Sequence, residues 1–545
     1  MTFAAGASEA ASEAASDAAS EAGSGADASS PAASEPPLKR LPPDPWWPIA
    51  WYPIALPVAY IIAVWSASAI HPIWLVRPIL VTVAVVLLLT LVLSAALRDR
   101  HRGGLAASTL TLSLLLTDER VRAALLVLTV LIVGDALINR GRRWRFGSRV
   151  TRFMTILGAA LILVVGLSTV QQRSFQDAVA DVQADLAARH AETFDPAAPD
   201  IYLVLLDAYP GDDAATLDPT FDADAFPAAL AARGFEVERH ARSNYLTTRL
   251  TVATMLANEH VEAAPELDPP VGNQAGDARR LREFGDDGIV FRALRDAGYE
   301  TITVPSPAAH LGLRRVDRVV DPPGASEFEL VLLRTTWFGA ALDRFAPDLF
   351  ASGARAQVLA NYASAEAIAA EDHSRPRFVW VHILAPHEPI VFRADGSPVA
   401  GAEVFNSAFK DPAGAANPTE RIDATFSYAD FVADRTIELI DRIIASSKRE
   451  AVVVVFSDHG TDIRFNAADP LASDLNERSS VVLAIRSPGR SGLLPPGTTP
   501  IGVLPRVLNA YLGTSLPIRA DTLWGWPRDG SLLDPIPIDR ASLRP

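Results

Sequence analysis

Five apolar stretches crowd between Trp47 and Val170, and they constrain this chain more than any other feature. A helix needs about 20 mostly apolar residues to cross the hydrocarbon of a bilayer. Residues 48–70, 73–97, 103–117, 121–138 and 151–170 reach or approach that length and predict a membrane domain of about five helices over 46–170. The third stretch is short, so a reentrant or interfacial helix is its alternative. Lys39 and Arg40 precede the first stretch, Arg98, Arg100 and Arg102 follow the second, and Arg140, Arg142, Arg143, Arg145, Arg149 and Arg152 separate the last two. Five crossings put all three basic clusters on the cytoplasmic side and everything after Val170 outside it, in an integral protein of the plasma (inner) membrane. Trp46, Trp47, Trp51, Tyr52 and Trp74 suit the aromatic belt at the ends of the first two spans. Asp135 falls near the cytoplasmic end of the fourth, where snorkelling or capping explains it better than an ion path.

The flanks of this domain differ from it in composition. Residues 1–36 are almost entirely Ala, Ser, Glu, Asp, Gly and Pro, too poor in apolar surface to offset the entropy of ordering. We therefore expect 1–45 to be a disordered cytoplasmic tail. Residues 171–198 read as a linker helix, because Phe175, Val179, Val182 and Leu186 recur at three and four residues with acids and amides between them. Residues 199–545 resemble an ordinary acidic globular domain. The formal net charge of -15 excludes nucleic acid as a partner, since phosphate contacts need a basic surface. The chain has no cysteine, so disulfides, thiolate metal sites and cysteine nucleophiles are excluded.

Within 199–545, apolar runs alternate with helical periodicity. Strands are expected at 201–206, 301–304, 377–384, 451–456 and 480–485, and helices at 226–233, 290–296 and 427–446. Such alternation predicts an α/β fold whose central sheet is mostly parallel, with helices on both faces. The segment after Leu493 is rich in proline and reads as a loop-rich close.

Three predicted strand ends carry the chemistry. The run Ala-Val-Val-Val-Val-Phe ends in Ser-Asp-His-Gly, with Asp458 and His459 adjacent, and the strand at 201–206 ends in Asp207. Open α/β sheets bind ligands at the carboxyl ends of their strands. His382 and His387 stand five apart in His-Ile-Leu-Ala-Pro-His-Glu-Pro, after another strand. A single histidine is more often structural, but two in a proline-bracketed loop are harder to explain as packing. Carboxylates mixed with imidazoles suit zinc or manganese better than calcium or magnesium. A nucleophile is sought in Asn-Tyr-Leu-Thr-Thr-Arg-Leu-Thr-Val-Ala-Thr, where Thr248, Thr251 and Thr254 recur as a helix begins. A helix N-terminus offers N–H groups to an anion, although Thr247 or Thr248 could equally be a plain N-cap. Arg249 could pair with phosphate or form a structural salt bridge.

These segments resemble the alkaline phosphatase and sulfatase superfamily, in particular the membrane-anchored branch with phosphoethanolamine transferases and lipoteichoic acid synthases. The resemblance covers roughly 200–513 and, in outline, the preceding spans. It implies that Asp207, Thr248, Asp458 and His459 are the metal ligands and Thr248 the nucleophile, with Thr251 as the later hydroxyl of the motif. It also implies that His387, with His382, contacts the substrate or a second metal. Departures are visible. There is no Cys/Ser-x-Pro-x-Arg motif for a formylglycine sulfatase, Asp207 stands where the membrane transferases usually have Glu, and no histidine follows His459. One tightly bound divalent ion, Zn or Mn, is therefore expected rather than two. The expected function is a membrane hydrolase or transferase acting on phosphate or sulfate esters of lipid-linked or glycan envelope substrates. A sulfuric ester hydrolase and a noncatalytic envelope protein of the same fold are the alternatives.

Overall fold

A computed structural model describes residues 51–67, 73–139, 146–187, 194–267, 274–306, 315–320, 348–399, 418–466, 469–526 and 531–540, with isolated positions between them and without Thr117. The tail predicted over 1–45 lies outside the described residues. Helices α1 (Tyr52–Ala67), α2 (Ile73–Leu97), α3 (Arg100–Leu115), α4 (Glu119–Ile138) and α5 (Gly147–Ala187) fall on the five predicted stretches. Three of them are long and apolar enough to cross a membrane, over Leu75–Leu97, Glu119–Ile138 and Gly147–Ser168. Among the described residues α1 and α3 each have 16 residues, about 24 Å of helix, and are shorter than those three.

Helix α3 is enclosed by other helices. Gly103, Gly104, Ala106, Ser108, Thr109, Thr111 and Ser113 are all buried, and the helix packs against α1, α2, α4 and α5. Small residues permit that close approach, and a Cβ on Gly103 would lie 2.5 Å from the backbone of Ser94. Hydroxyls in an apolar bundle turn onto backbone carbonyls or one another, as Thr109 and Thr129 do at 2.7 Å. At the start of α3 the buried Arg102 pairs with Asp99 at 3.0 Å and with Asp135 of α4 at 2.7 Å. Asp135 is therefore an ion-pair partner that joins the two helices. Helix α5 continues without a break to Ala187, so the first part of the predicted linker is an extension of the last span.

The globular part is built on a seven-stranded sheet. Its strands are β1 (Asp200–Leu206), β2 (Glu236–Glu238), β3 (Glu300–Val304), β4 (Arg318–Val319), β5 (Arg377–Ile383), β6 (Ala451–Phe456) and β7 (Leu483–Arg486), in the order β2-β7-β6-β1-β5-β3-β4. The five strands β6, β1, β5, β3 and β4 run parallel, and β7 and β2 pair antiparallel at one edge. All residues of β1, β5 and β6 are buried, which is why these sequences are continuous apolar runs without alternation. The helices of this part are α6 (Ala225–Ala231), α7 (Thr248–Ala257), α8 (Gln274–Asp286), α9 (Ile289–Asp296), α10 (Asp348–Ala370), α11 (Pro418–Ser446), α12 (Leu475–Ser479) and α13 (Val503–Leu512).

Side-chain parity divides the core into two layers. Tyr202, Val204 and Leu206 of β1 face the cluster with Tyr362, Phe426 and Leu439 of α10 and α11. Ile201, Leu203 and Leu205 face the opposite cluster, with Val252, Met255 and Leu256 of α7. The proline-rich close differs from expectation, because it contains α13 and a hairpin of β8 (Leu523–Gly525) and β9 (Ile536–Ile538). Pro505 sits in the first turn of α13, where its missing N–H costs nothing, and Val503, Leu504, Val507 and Leu508 are buried. Phe378, fully buried and edge-on to Phe291, tests the α7-side layer. Phe378→Ala is expected to cost about 3–5 kcal/mol and to lower the thermal midpoint of the purified protein clearly. An unchanged midpoint would show that this layer does not carry the domain.

Candidate metal centre

Register brings the two acids level. Leu205 of β1 is paired with Phe456 of β6, so Asp207 and Asp458, each two residues further on, leave neighbouring strands at the same height. Both keep the parity of the face on which α7 packs, because alternate residues of a strand share one side. His382, paired with Leu205 from the other neighbour β5, shares that face as well. The chain turns sharply after Asp207: Ala208 adopts a left-handed φ of 63°, a strain expected where a site over-determines the backbone. Its N–H donates to Asp458 Oδ1 at 3.3 Å.

Asp207, Asp458 and His459 are all buried, and each offers one ligand atom within 4.8 Å of the others'. His459 Nε2 lies 3.1 Å from Asp458 Oδ2, 3.8 Å from Asp207 Oδ1 and 3.3 Å from the Thr248 hydroxyl. Its Nδ1 is 2.9 Å from the Gly460 carbonyl. A carbonyl only accepts, so Nδ1 carries the proton and the Nε2 lone pair faces the acids. Asp207 Oδ1 and Asp458 Oδ2 are buried with no hydrogen-bond partner. Two orphaned carboxylate oxygens, a free imidazole lone pair and a hydroxyl on one point make a donor set that fits a tetrahedral divalent ion such as zinc. Asp207, Asp458, His459 and Thr248 would hold it.

The electrostatics agree with that fit. Burial, then the neighbouring Asp207 charge, push Asp458 up to about 7. Burial also opposes ionisation of Asp207, but the charge of His387 and a hydrogen bond from His382 outweigh it and hold Asp207 below the usual carboxylate range. Burial and the charge of Arg478 lower His459 to about 3, so its imidazole is neutral. Two facing carboxylates that cannot both ionise comfortably are relieved by a cation between them.

The other predicted residues divide by what they touch. Thr248 opens α7, and Thr247 is the N-cap position, but the Thr247 side chain makes no capping bond and its hydroxyl is buried without a partner. Thr251 donates to the Asp458 carbonyl at 3.0 Å, so the later hydroxyl pins α7 to the ligand turn. His382 Nε2 reaches Asp207 Oδ2 at 3.0 Å and is buried, so it orients a ligand instead of meeting solvent. His387 lies on the loop after β5: its N–H donates to the Asp207 carbonyl at 3.0 Å, and its Nδ1 is 2.8 Å from the Glu388 carbonyl. Burial would lower its pKa, but the charges of Asp207 and Asp462 raise it overall.

Several residues escaped the sequence reading. Asp462, Glu388, Arg421 and Arg478 line the same region. Arg421 bridges Glu388 at 2.9 Å and Asp462 at 3.3 Å. Asp462 follows His459 in the same turn and could have been flagged on that ground, whereas Arg421 and Arg478 carry no local signal.

The sulfatase family model matches residues 287–480, a span that includes His382, His387, Asp458 and His459 and lacks Asp207 and Thr248. That stretch is therefore similar to a sulfatase domain. No curated protein matches the sequence significantly. Among solved structures, the C-terminal periplasmic domain of EptC from Escherichia coli is 13% identical, with 64% of this chain and 98% of that chain covered and a TM-score of 0.38. The integral membrane lipooligosaccharide phosphoethanolamine transferase EptA from Neisseria meningitidis is 12% identical, with coverage of 80% and 87% and a TM-score of 0.33. The phosphonate monoester hydrolase of Agrobacterium radiobacter is 14% identical, with coverage of 58% and 74% and a TM-score of 0.37. Likeness at that level transfers no residue roles.

The raised Asp458 makes a pH prediction. A carboxyl whose folded pKa is about 7 against an ordinary 3.8 favours the fold fully below the lower value and loses that contribution as pH rises through the upper one. His459, lowered to about 3 from an ordinary 6.5, has the opposite slope over nearly the same range, so the Asp458 contribution is read against Asp458→Asn. Chelator-treated wild type should lose thermal stability relative to the chelator-treated variant between about pH 4 and 7, and added Zn²⁺ should remove that relative loss. A difference between the two proteins that does not change with pH would refute the paired-carboxylate picture.

Proposed function

We propose that this protein is a membrane-anchored, metal-dependent esterase or transferase that moves or hydrolyses a phosphoryl-linked group on an extracytoplasmic substrate. The observation that carries the reading is the convergence of the Thr248 hydroxyl with Asp207, Asp458 and His459 at the mouth of α7. One divalent ion, Zn or Mn, held by these four groups would favour the alkoxide form of Thr248 and offset charge on the ester oxygens. The Thr248 oxygen attacks phosphorus in line with the leaving oxygen; its own proton passes to solvent, the new O–P bond forms and the bond to the leaving group breaks. His387, whose protonated form the surrounding acids favour, gives its proton to the departing oxygen. Water or an acceptor hydroxyl then displaces Thr248 from the phosphothreonine adduct. His382 keeps Asp207 in place through its 3.0 Å hydrogen bond.

The three membrane-capable helices support an integral membrane protein. The arginine clusters of the sequence favour a cytoplasmic N-terminal side and a catalytic domain outside it, so the substrates in reach are lipid-linked or glycan components of the envelope. Residues 46–170 are proposed as the membrane domain, 171–198 as the linker and 199–545 as the catalytic domain.

Thr248→Ala should abolish turnover of phosphodiester and aryl sulfate probes alike and remove the covalent adduct seen by intact-protein mass spectrometry after incubation with envelope lipids. Full turnover in that variant would sink the nucleophile assignment. Faster turnover of the aryl sulfate than of the phosphodiester would instead mark a sulfuric ester hydrolase. His387→Gln is expected to lower kcat about 10²–10⁴-fold with metal content unchanged. A drop confined to KM would overturn its role as the acid.

A further inference from the structure

Arg478 is a cation enclosed in the wall of the centre. It lies on α12 and is 5% exposed. Its Nε and Nη2 both donate to the Leu246 carbonyl, at 3.0 and 2.8 Å. Its Nη1 donates to the Gly460 carbonyl at 3.2 Å and to the Thr461 carbonyl at 3.4 Å. The Phe465 ring covers the guanidinium at 4.0 Å, and the Arg478 carbonyl accepts from the Gly460 N–H at 2.8 Å. Leu246 precedes Thr248 by two residues, and Gly460 directly follows His459. One rigid planar group therefore spans the nucleophile segment and the ligand turn. The approach is close enough that a Cβ on Gly460 would lie 2.0 Å from the Glu477 carbonyl oxygen.

We propose that Arg478 is a positioning residue that sets the Thr248 hydroxyl against the ligand pair by bracing Leu246 to Gly460 and Thr461. The proposal rests on the reading of Thr248 as ligand and nucleophile. Only a guanidinium fits the task, because its fixed fork serves carbonyls on two sides at once, whereas a lysine ammonium at the end of a flexible stem can satisfy one side. Its charge matters as well. The carboxylates of Asp462, Asp458 and Asp207 act on Arg478 in that order after burial, so its charge offsets part of the negative charge gathered around the centre.

The full-length protein loaded with Co²⁺ reports the geometry directly, because the d–d absorption of the ion follows its ligand set. Arg478→Lys is expected to keep one cobalt per chain, to shift the d–d bands in the same direction as Thr248→Ala, and to lower kcat about 10²-fold, the loss typical of a misplaced reacting group, with KM little changed. A wild-type spectrum with wild-type kcat in Arg478→Lys overturns the proposal, as does a rise in KM alone. If Arg478→Lys does not fold, Phe465→Leu uncovers the guanidinium without changing its charge. A smaller shift in the same direction then supports the proposal, and a wild-type spectrum and kcat overturn it. A Thr248→Ala protein with unchanged bands and turnover would instead defeat the nucleophile reading, so the two failures are distinguishable.

Discussion

Two carboxylates held side by side in a buried place are the constraint around which the globular domain is arranged. Asp207 and Asp458 leave adjacent parallel strands at one level because Leu205 and Phe456 are in register. Neither can be moved without shifting a central strand. Their repulsion is unrelieved by hydrogen bonds on Asp207 Oδ1 and Asp458 Oδ2, and burial strengthens it by lowering the local dielectric. A cation between them would relieve that repulsion, and the neighbouring groups fit one. His459 turns its lone pair inward, His382 secures the far oxygen of Asp207, and Ala208 holds a left-handed turn that lends its N–H to Asp458.

The segment with Thr248 is fitted to this pair from a different part of the chain. Helix α7 packs its apolar side on the sheet through Val252, Met255 and Leu256, and Thr251 fastens its first turn to the Asp458 carbonyl. From the other side α12 comes so close that only glycine is tolerated at 460. Thr248 is thus held between two rigid supports, which is the preorganisation that its proposed role as nucleophile requires. A hydroxyl on a mobile loop would spend most of its time away from the centre.

The membrane part shows the same economy of polar groups. The buried hydroxyls of Thr109, Thr111 and Ser113 on α3 and the Arg102 ion pairs with Asp99 and Asp135 are satisfied inside the bundle, while α2, α4 and α5 present apolar surface outward. A short polar helix is tolerated inside such a bundle because other helices surround it. A segment of the globular part also meets these helices: Leu332 packs beside Ile61, Trp65 and Leu75, and Glu329 pairs with Arg77 at 3.3 Å.

The sequence by itself determined the continuous apolar strands, the acids and imidazoles at their ends, and the position of five helices, because burial on both faces and strand termination are local signals. It also marked Thr248, Asp207, Asp458 and His459 as a set, although only through resemblance. What it could not decide depends on partners distant in the chain. The burial of α3 follows from the helices around it, whereas length and polarity alone suggested a span or an interfacial segment. Arg102 and Asp135 look like isolated charges until they face each other. His382 and His387 stand in one short motif, yet strand parity turns the first onto Asp207 and leaves the second on the loop beside Asp462. Arg478 had no signal at all, since an arginine in a short helix is ordinary until three backbone carbonyls and an aromatic ring from separate segments close around it. Tertiary structure decided these roles because each is a property of what surrounds a side chain, and only folding specifies those surroundings.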